Sequence, residues 1–351
     1  MWNVVIVGVL SLLSFNCQLT QRYYRAQGIL AGEKRDFLVD SGAAAVRLQN
    51  TPPGSVAIPS MEELSLLVKQ YSPDYATIRL LQAIYSDSFQ AKYQKKYFDL
   101  VKQLRTKAPT KRDLTKLEKY QILFVPGLAY RLDKSTGADF SRQRNWFGKS
   151  GITSSLIETD ELGLAKDNAI RIKEYIALHS DGRKVIIVSA SKGSQDVLEY
   201  FAIASPEEIK HVHAWVNIGG INRGTLLANE FCKFPKSLLP IIMLGFRGRS
   251  AALVRDLQRL EPSDGFLAQR VPKTLKVIHF QGILFDSQVN EEIHSRYRKL
   301  SQFGPNDGLT LTVDSIVPKG IVITEIGLDH YFRDPEIDTK TAALALLAVG
   351  D

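Results

Sequence analysis

Ser191 has the setting that points most directly to chemistry. It closes the run Val185-Ile186-Ile187-Val188-Ser189-Ala190-Ser191-Lys192-Gly193. The branched apolar residues predict a buried parallel strand. Ser194-Gln195-Asp196-Val197-Leu198-Glu199-Tyr200-Phe201, which follows, reads as a helix. A serine pinned on a sharp turn between strand and helix offers its hydroxyl as a nucleophile. Ser189 and Gly193 flank it two positions away on either side, as suits a turn where two backbones come close. Ser189 and Ser194 compete for the role, but only Ser191 has small residues at that spacing on both sides. The alternative is an ordinary serine in a strand-to-helix loop.

Such a serine needs a base, a carboxylate that holds the base in the right tautomer, and N–H donors for the developing oxyanion. Among six histidines, His330 follows the β-rich run Ile321-Val322-Ile323-Thr324-Glu325-Ile326 and Gly327. Asp307, in Gly304-Pro305-Asn306-Asp307-Gly308-Leu309, is the acid of choice. Asp286 is its rival, nearer the strand that ends around Gly282; Asp314 is an outsider. Asp329 adjoins His330, and neighbouring side chains in an extended segment point apart, so its expected work is loop shaping. One oxyanion donor is the N–H of Lys192. The other is the N–H of Leu128, in the apolar run Tyr120 to Tyr130 that Pro126-Gly127 interrupts; proline itself has no N–H. The Lys192 ammonium is expected in solvent, with contact to an anionic headgroup as the alternative. His211 and His213 begin a strand at the opposite end from this site, and no third metal ligand lies near them. His179 closes a helix, His279 lies inside a strand and His294 lies on a helix.

From residue 118 onward strand and helix alternate, which predicts an α/β chain with a mostly parallel sheet and helices on both faces. The four signals fall in order, each expected at a strand end. Between Thr225 and Lys273 the alternation breaks. That insertion is expected to form a cap or lid over an acyl pocket, or else a helix buried against the sheet. Upstream, Ser60 with Glu63 makes a capping box, and helical spacing runs on to Leu104. These helices are expected as an N-terminal appendage, and residues 22–55 as irregular. The domain reading is therefore 1–17 as a leader segment, 18–117 as the N-terminal region, and 118–351 with its insertion at about 225–273.

At this point the chain resembles an α/β-hydrolase of the bacterial lipase and esterase type. Asn306-Asp307-Gly308-Leu309 is similar to the acid-bearing "NDGLV" stretch of such lipases. Trp215 through Ala228 resembles their strand after the serine turn, with Asn222-Arg223 in place of the usual Pro-His. Leu257 through Phe266 is similar to a segment that follows the lipase lid. The resemblance covers about residues 118–350. It implies the chain order Ser191, Asp307, His330, an acyl-enzyme on Ser191, and a small-molecule or lipid ester as substrate, with no cofactor or metal. The reading is a serine carboxylester hydrolase. An acyltransferase with the same triad, or an inactive binding protein on the same scaffold, are the other classes.

The 351 residues carry a formal charge of +8, with the cations dispersed rather than clustered among aromatics. That argues against nucleic acid as a partner and leaves an anionic membrane surface open. No charged residue precedes Arg22, and Val4 to Leu13 is a short apolar core suited to a signal peptide. Leu13-Ser14-Phe15-Asn16-Cys17 resembles a loose lipobox, so export with lipidation of Cys17 is expected; a cytoplasmic enzyme is the alternative. Two cysteines, Cys17 and Cys232, make no disulfide framework.

Overall fold

The computed structural model describes residues 23–30, 33–40, 57–106, 114–179, 181–233, 252–260 and 270–350. Its centre is a six-stranded sheet, with every neighbouring pair parallel. After a hairpin of β1 (Tyr23–Leu30) and β2 (Glu33–Asp40), the sheet strands are β3 (Tyr120–Val125), β4 (Ser154–Leu156), β5 (Lys184–Ala190), β6 (Val212–Ile218), β7 (Lys276–Ile283) and β8 (Ile321–Ile326). Their spatial order is β4-β3-β5-β6-β7-β8. The chain leaves β3 toward one side for β4 and returns on the other side for β5. Where the order reverses, a crevice opens at the carboxyl ends of the strands, the usual ligand position in such sheets.

Both faces of the sheet are buried, which explains strands that are apolar throughout rather than alternating. Leu123, Val125, Val185, Ile187, Trp215 and Val277 face one core with α5 (Ala165–His179) and α6 (Gly193–Ile203). Their strand neighbours Ile122, Phe124, Ile186, Val188, Val216, Ile278, Phe280 and Ile323 face the other. There they meet α3 (Ser88–Thr106), α4 (Ser141–Lys149) and α11 (Ile337–Val349). The other α-helices among the described residues are α1 (Met61–Gln70), α2 (Pro73–Ser86), α7 (Pro206–Ile209), α8 (Leu226–Phe231), α9 (Ala252–Asp256) and α10 (Glu291–Ser301).

The helices before residue 107 pack along β8. Gln90 and Gln94, one turn apart on α3, bond to the outer edge of that strand as a further strand would. Gln90 accepts from Val322 N–H (2.8 Å) and donates to Gly320 C=O (2.9 Å). Gln94 accepts from Thr324 N–H (2.9 Å) and donates to Thr324 C=O (3.0 Å). A parallel edge that would otherwise be raw is thereby satisfied. The α1 start is the expected capping box, with Ser60 accepting from Glu63 N–H and Glu63 from Ser60 N–H.

One expectation for this region is corrected. Part of 22–55 is not irregular: Tyr23 to Leu30 pairs antiparallel with Glu33 to Asp40. The inward residue Ala26 sits fully buried against Ile78, Leu81, Ile283 and Phe285. Small inward residues gave no alternating apolar signal. Asp74 of α2 pins the hairpin, accepting from Gln27 N–H (2.6 Å) and from Asp286 N–H (2.8 Å).

Of the insertion at 225–273, α8 and α9 are described. Residues 234–251 and 261–269 lie outside the described residues, as do the leader segment 1–17 and Cys17. Cys232 is a half-buried free thiol. Among the described residues no helix is long and apolar enough to cross a membrane.

Candidate active site

β5 ends at Ala190, and the chain turns into α6 through Ser191 and Lys192. Ser191 holds a left-handed backbone, φ 50°, a conformation that costs a non-glycine residue about 1–3 kcal/mol. The turn is held by Ser191 N–H donating to Ile218 C=O (3.2 Å), and Ser191 C=O accepting from Ser194 N–H (3.0 Å). At Gly193 a Cβ would lie 2.4 Å from Pro126 C=O. Only glycine lets α6 start that close to the end of β3.

Ser191, His330 and Asp307 come together at the carboxyl edge of the sheet. Ser191 Oγ is 2.9 Å from His330 Nε2, and His330 Nδ1 is 2.7 Å from Asp307 Oδ2. The other carboxylate oxygen, Oδ1, accepts from Leu309 N–H (2.9 Å) and Thr310 N–H (2.8 Å). His330 N–H also donates to Asp307 C=O (2.9 Å). Both side chains of this pair are about 95% shielded from solvent, so the hydrogen bond works in a low dielectric. His330 follows β8 and Gly327 as expected. Asp307 does not end a strand: it lies in the loop between α10 and β8, well beyond β7. That loop is tied to the segment after β6, with Thr225 Oγ1 donating to Leu309 C=O and Thr310 Oγ1 to Gly224 C=O.

The rival side chains are engaged elsewhere. Ser189 and Ser194 are fully buried; Ser189 Oγ accepts from Trp215 Nε1 (2.8 Å), and Ser194 Oγ donates to Asn217 (2.7 Å). Asp286 pairs with Arg298 (3.2 Å), and Asp314 pairs with Arg259 through two bonds (2.6 and 3.0 Å). Asp329 accepts from Tyr331 N–H and Asn290, which is loop shaping. His279 is fully buried, and burial pushes its imidazole down to about 3, so it stays neutral. His211 and His213 lie at the start of β6, and His179 and His294 on α5 and α10. Among the described residues no group of histidine, cysteine or carboxylate side chains could hold a metal.

Leu128 and Lys192 both line the cavity that holds Ser191. Among the described residues neither backbone N–H donates to a protein acceptor, while Gly127 N–H goes to Ala138 C=O and Ala129 N–H to Glu161 C=O. The Lys192 ammonium departs from both expectations for it. It is neither in solvent nor free to meet a headgroup: the residue is 2% exposed, and Nζ lies 2.6 Å from Asp196 Oδ1. Asp196 also accepts from Asn168 Nδ2 (2.9 Å). Burial pushes the Asp196 carboxyl up to about 6, with Lys192 and Asn168 opposing it. The i,i+4 spacing of Lys192 and Asp196 on one helix was a readable signal for this pair; the Asn168 contribution, from another helix, had none.

The cavity measures about 700 Å³. Phe140, Ile218, Ile221, Leu309, Phe332 and Ile337 supply apolar walls. Leu257, just beyond α9, joins them from the inserted segment.

No family model and no curated protein matches the chain, but solved structures do. A metagenomic carboxyl esterase superimposes with a TM-score of 0.53 at 18% identity, covering 66% of this chain and 76% of the esterase. The propeptide form of a Bacillus licheniformis lipase gives a TM-score of 0.50 at 22% identity, covering 66% of this chain and 50% of the lipase. With the strand order and the serine turn, these likenesses define the class: the chain has the α/β-hydrolase fold. At such identities the likeness carries the fold alone, because one fold hosts many chemistries.

Proposed function

We propose that the protein is a serine carboxylester hydrolase acting through an acyl-enzyme on Ser191. The observation that carries this reading is the unbroken relay from Asp307 through His330 to Ser191, with His330 and Ser191 lining a largely apolar cavity. His330 Nε2 takes the hydroxyl proton as Ser191 Oγ attacks the ester carbonyl. Asp307 holds the proton on Nδ1 and stabilises the imidazolium. The oxyanion of the tetrahedral intermediate is received by the N–H groups of Leu128 and Lys192, each of which typically contributes about 3–4 kcal/mol of transition-state stabilisation. Collapse breaks the ester C–O bond, and the departing alkoxide takes the proton back from His330. Water, deprotonated by the same imidazole, then releases the acid and restores the serine. The apolar walls suit the acyl chain of an ester.

The test is active-site labelling. A fluorophosphonate should modify the wild-type protein at Ser191, and the label should vanish in Ser191→Ala together with hydrolysis of short-chain p-nitrophenyl esters. Turnover at the wild-type rate in purified Ser191→Ala ends this reading. Adding a competing alcohol and assaying the ester it would form separates transfer from hydrolysis.

A further inference from the structure

We propose that Lys192, Asp196 and Asn168 form a positioning device that fixes the two oxyanion donors relative to each other; the inference rests on the esterase reading of this site. The device begins at one donor. Lys192 lines the cavity and its backbone N–H meets no acceptor among the described residues, while its side chain turns inward and meets Asp196 one helical turn on (2.6 Å). The second Asp196 oxygen accepts from Asn168 of α5 (2.9 Å). Asn168 in turn grips the backbone of Asp160 from both sides, accepting from its N–H (2.8 Å) and donating to its C=O (3.0 Å).

The residue after Asp160 meets the segment that follows the other donor. Glu161 C=O accepts from Ala129 N–H (3.1 Å), and Glu161 Oε2 from Arg131 N–H (2.8 Å) and Leu132 N–H (2.9 Å). Ala129 follows Leu128 and sits in the left-handed region, φ 55°. The peptide that follows the second donor, Leu128–Ala129, is thus held by the loop that Asn168 clamps. Continuous hydrogen bonds join α6, α5, the loop after β4 and the loop after β3.

A buried Lys–Asp pair is expensive, and apolar residues of similar size often replace one without loss of stability. Its presence under the serine turn therefore points to a role other than stability. Burial forces the Asp196 carboxyl up to about 6, and the Asp256 carboxylate adds to the push. Burial thus opposes the charged form, and Lys192 and Asn168 offset it.

The decisive variant is Lys192→Met with Asp196→Leu, which keeps the N–H at position 192 and removes both buried charges. Its kcat on a short-chain p-nitrophenyl ester should fall by roughly 10- to 100-fold, because an ångström of misplacement has that effect. KM should stay within about two-fold, and the thermal midpoint should equal or exceed that of the wild type. Asn168→Ala leaves Lys192 and Asp196 paired and removes the amide that joins Asp196 to Asp160; its kcat should fall in the same direction, and it decides the matter if the double variant does not fold. A folded variant with wild-type kcat makes the pair mere packing and overturns the proposal. Fluorophosphonate labelling of the wild-type enzyme is run first. No labelling there defeats the esterase reading, whereas labelling with unchanged kcat in the variants defeats only the positioning role.

Discussion

The backbone of Ser191 is strained in a way that a glycine would relieve. Ser191→Gly should therefore raise stability, by about 1 kcal/mol once the extra freedom of glycine in the unfolded chain is offset, while removing the hydroxyl that the proposed esterase reaction needs. A denaturation midpoint at or below that of the wild type counts against the strain argument. Asp307 offers a second test. Its Oδ1 is committed to the N–H groups of Leu309 and Thr310. In Asp307→Asn the new side chain would keep its oxygen there and turn its amide toward His330 Nδ1. That arrangement favours the wrong imidazole tautomer, and the substitution should lower kcat about 10⁴-fold with the fold intact. Asp286→Asn, at a carboxyl paired with Arg298, should leave kcat unchanged. The acid was readable in the sequence from the glycine after Asp307 and the apolar run beyond it, and from the Asn306-Asp307-Gly308-Leu309 resemblance; no spacing from the serine or histidine singles it out.

Among the elements, the strands of the sheet other than β4 were legible because each is a largely apolar run with turn residues after it, whereas β4 is only Ser154-Ser155-Leu156. What covers β8 was not. Gln90 and Gln94 look like the polar face of a helix, and their partners lie 230 residues further along the chain. Sequence periodicity reports a helix's own faces and cannot report a strand edge that far away. Gln94→Leu should leave the N–H and C=O of Thr324 without partners and cost about 2–3 kcal/mol. Chemical denaturation measures it, and a loss below the scatter between replicates would mean that the edge finds other partners. The β1–β2 hairpin escaped notice for a related reason, since Ala26 owes its burial to Ile283 and Phe285 at and beyond the end of β7.

Across the whole molecule, Asp74 joins three parts: the hairpin, α2 and the segment after β7. Burial pushes its carboxyl up to about 6, and the Asp286 carboxylate adds to this while Arg298 opposes it. A raised carboxyl pKa favours the folded state most below the unfolded value and loses that advantage as pH rises through the folded value. The stability that wild type holds over Asp74→Asn should therefore shrink between about pH 4 and pH 6.5, by on the order of 3 kcal/mol. Denaturation midpoints of the two proteins across that range check it; a constant gap would show that the carboxyl titrates normally. The acid and the base, finally, are fastened to each other twice, once by side chains and once by His330 N–H on Asp307 C=O. They travel as a single cartridge, while the nucleophile belongs to a separate chassis of β5 and α6. A shift of one assembly against the other, with neither unfolded, falls on the single hydrogen bond between imidazole and hydroxyl.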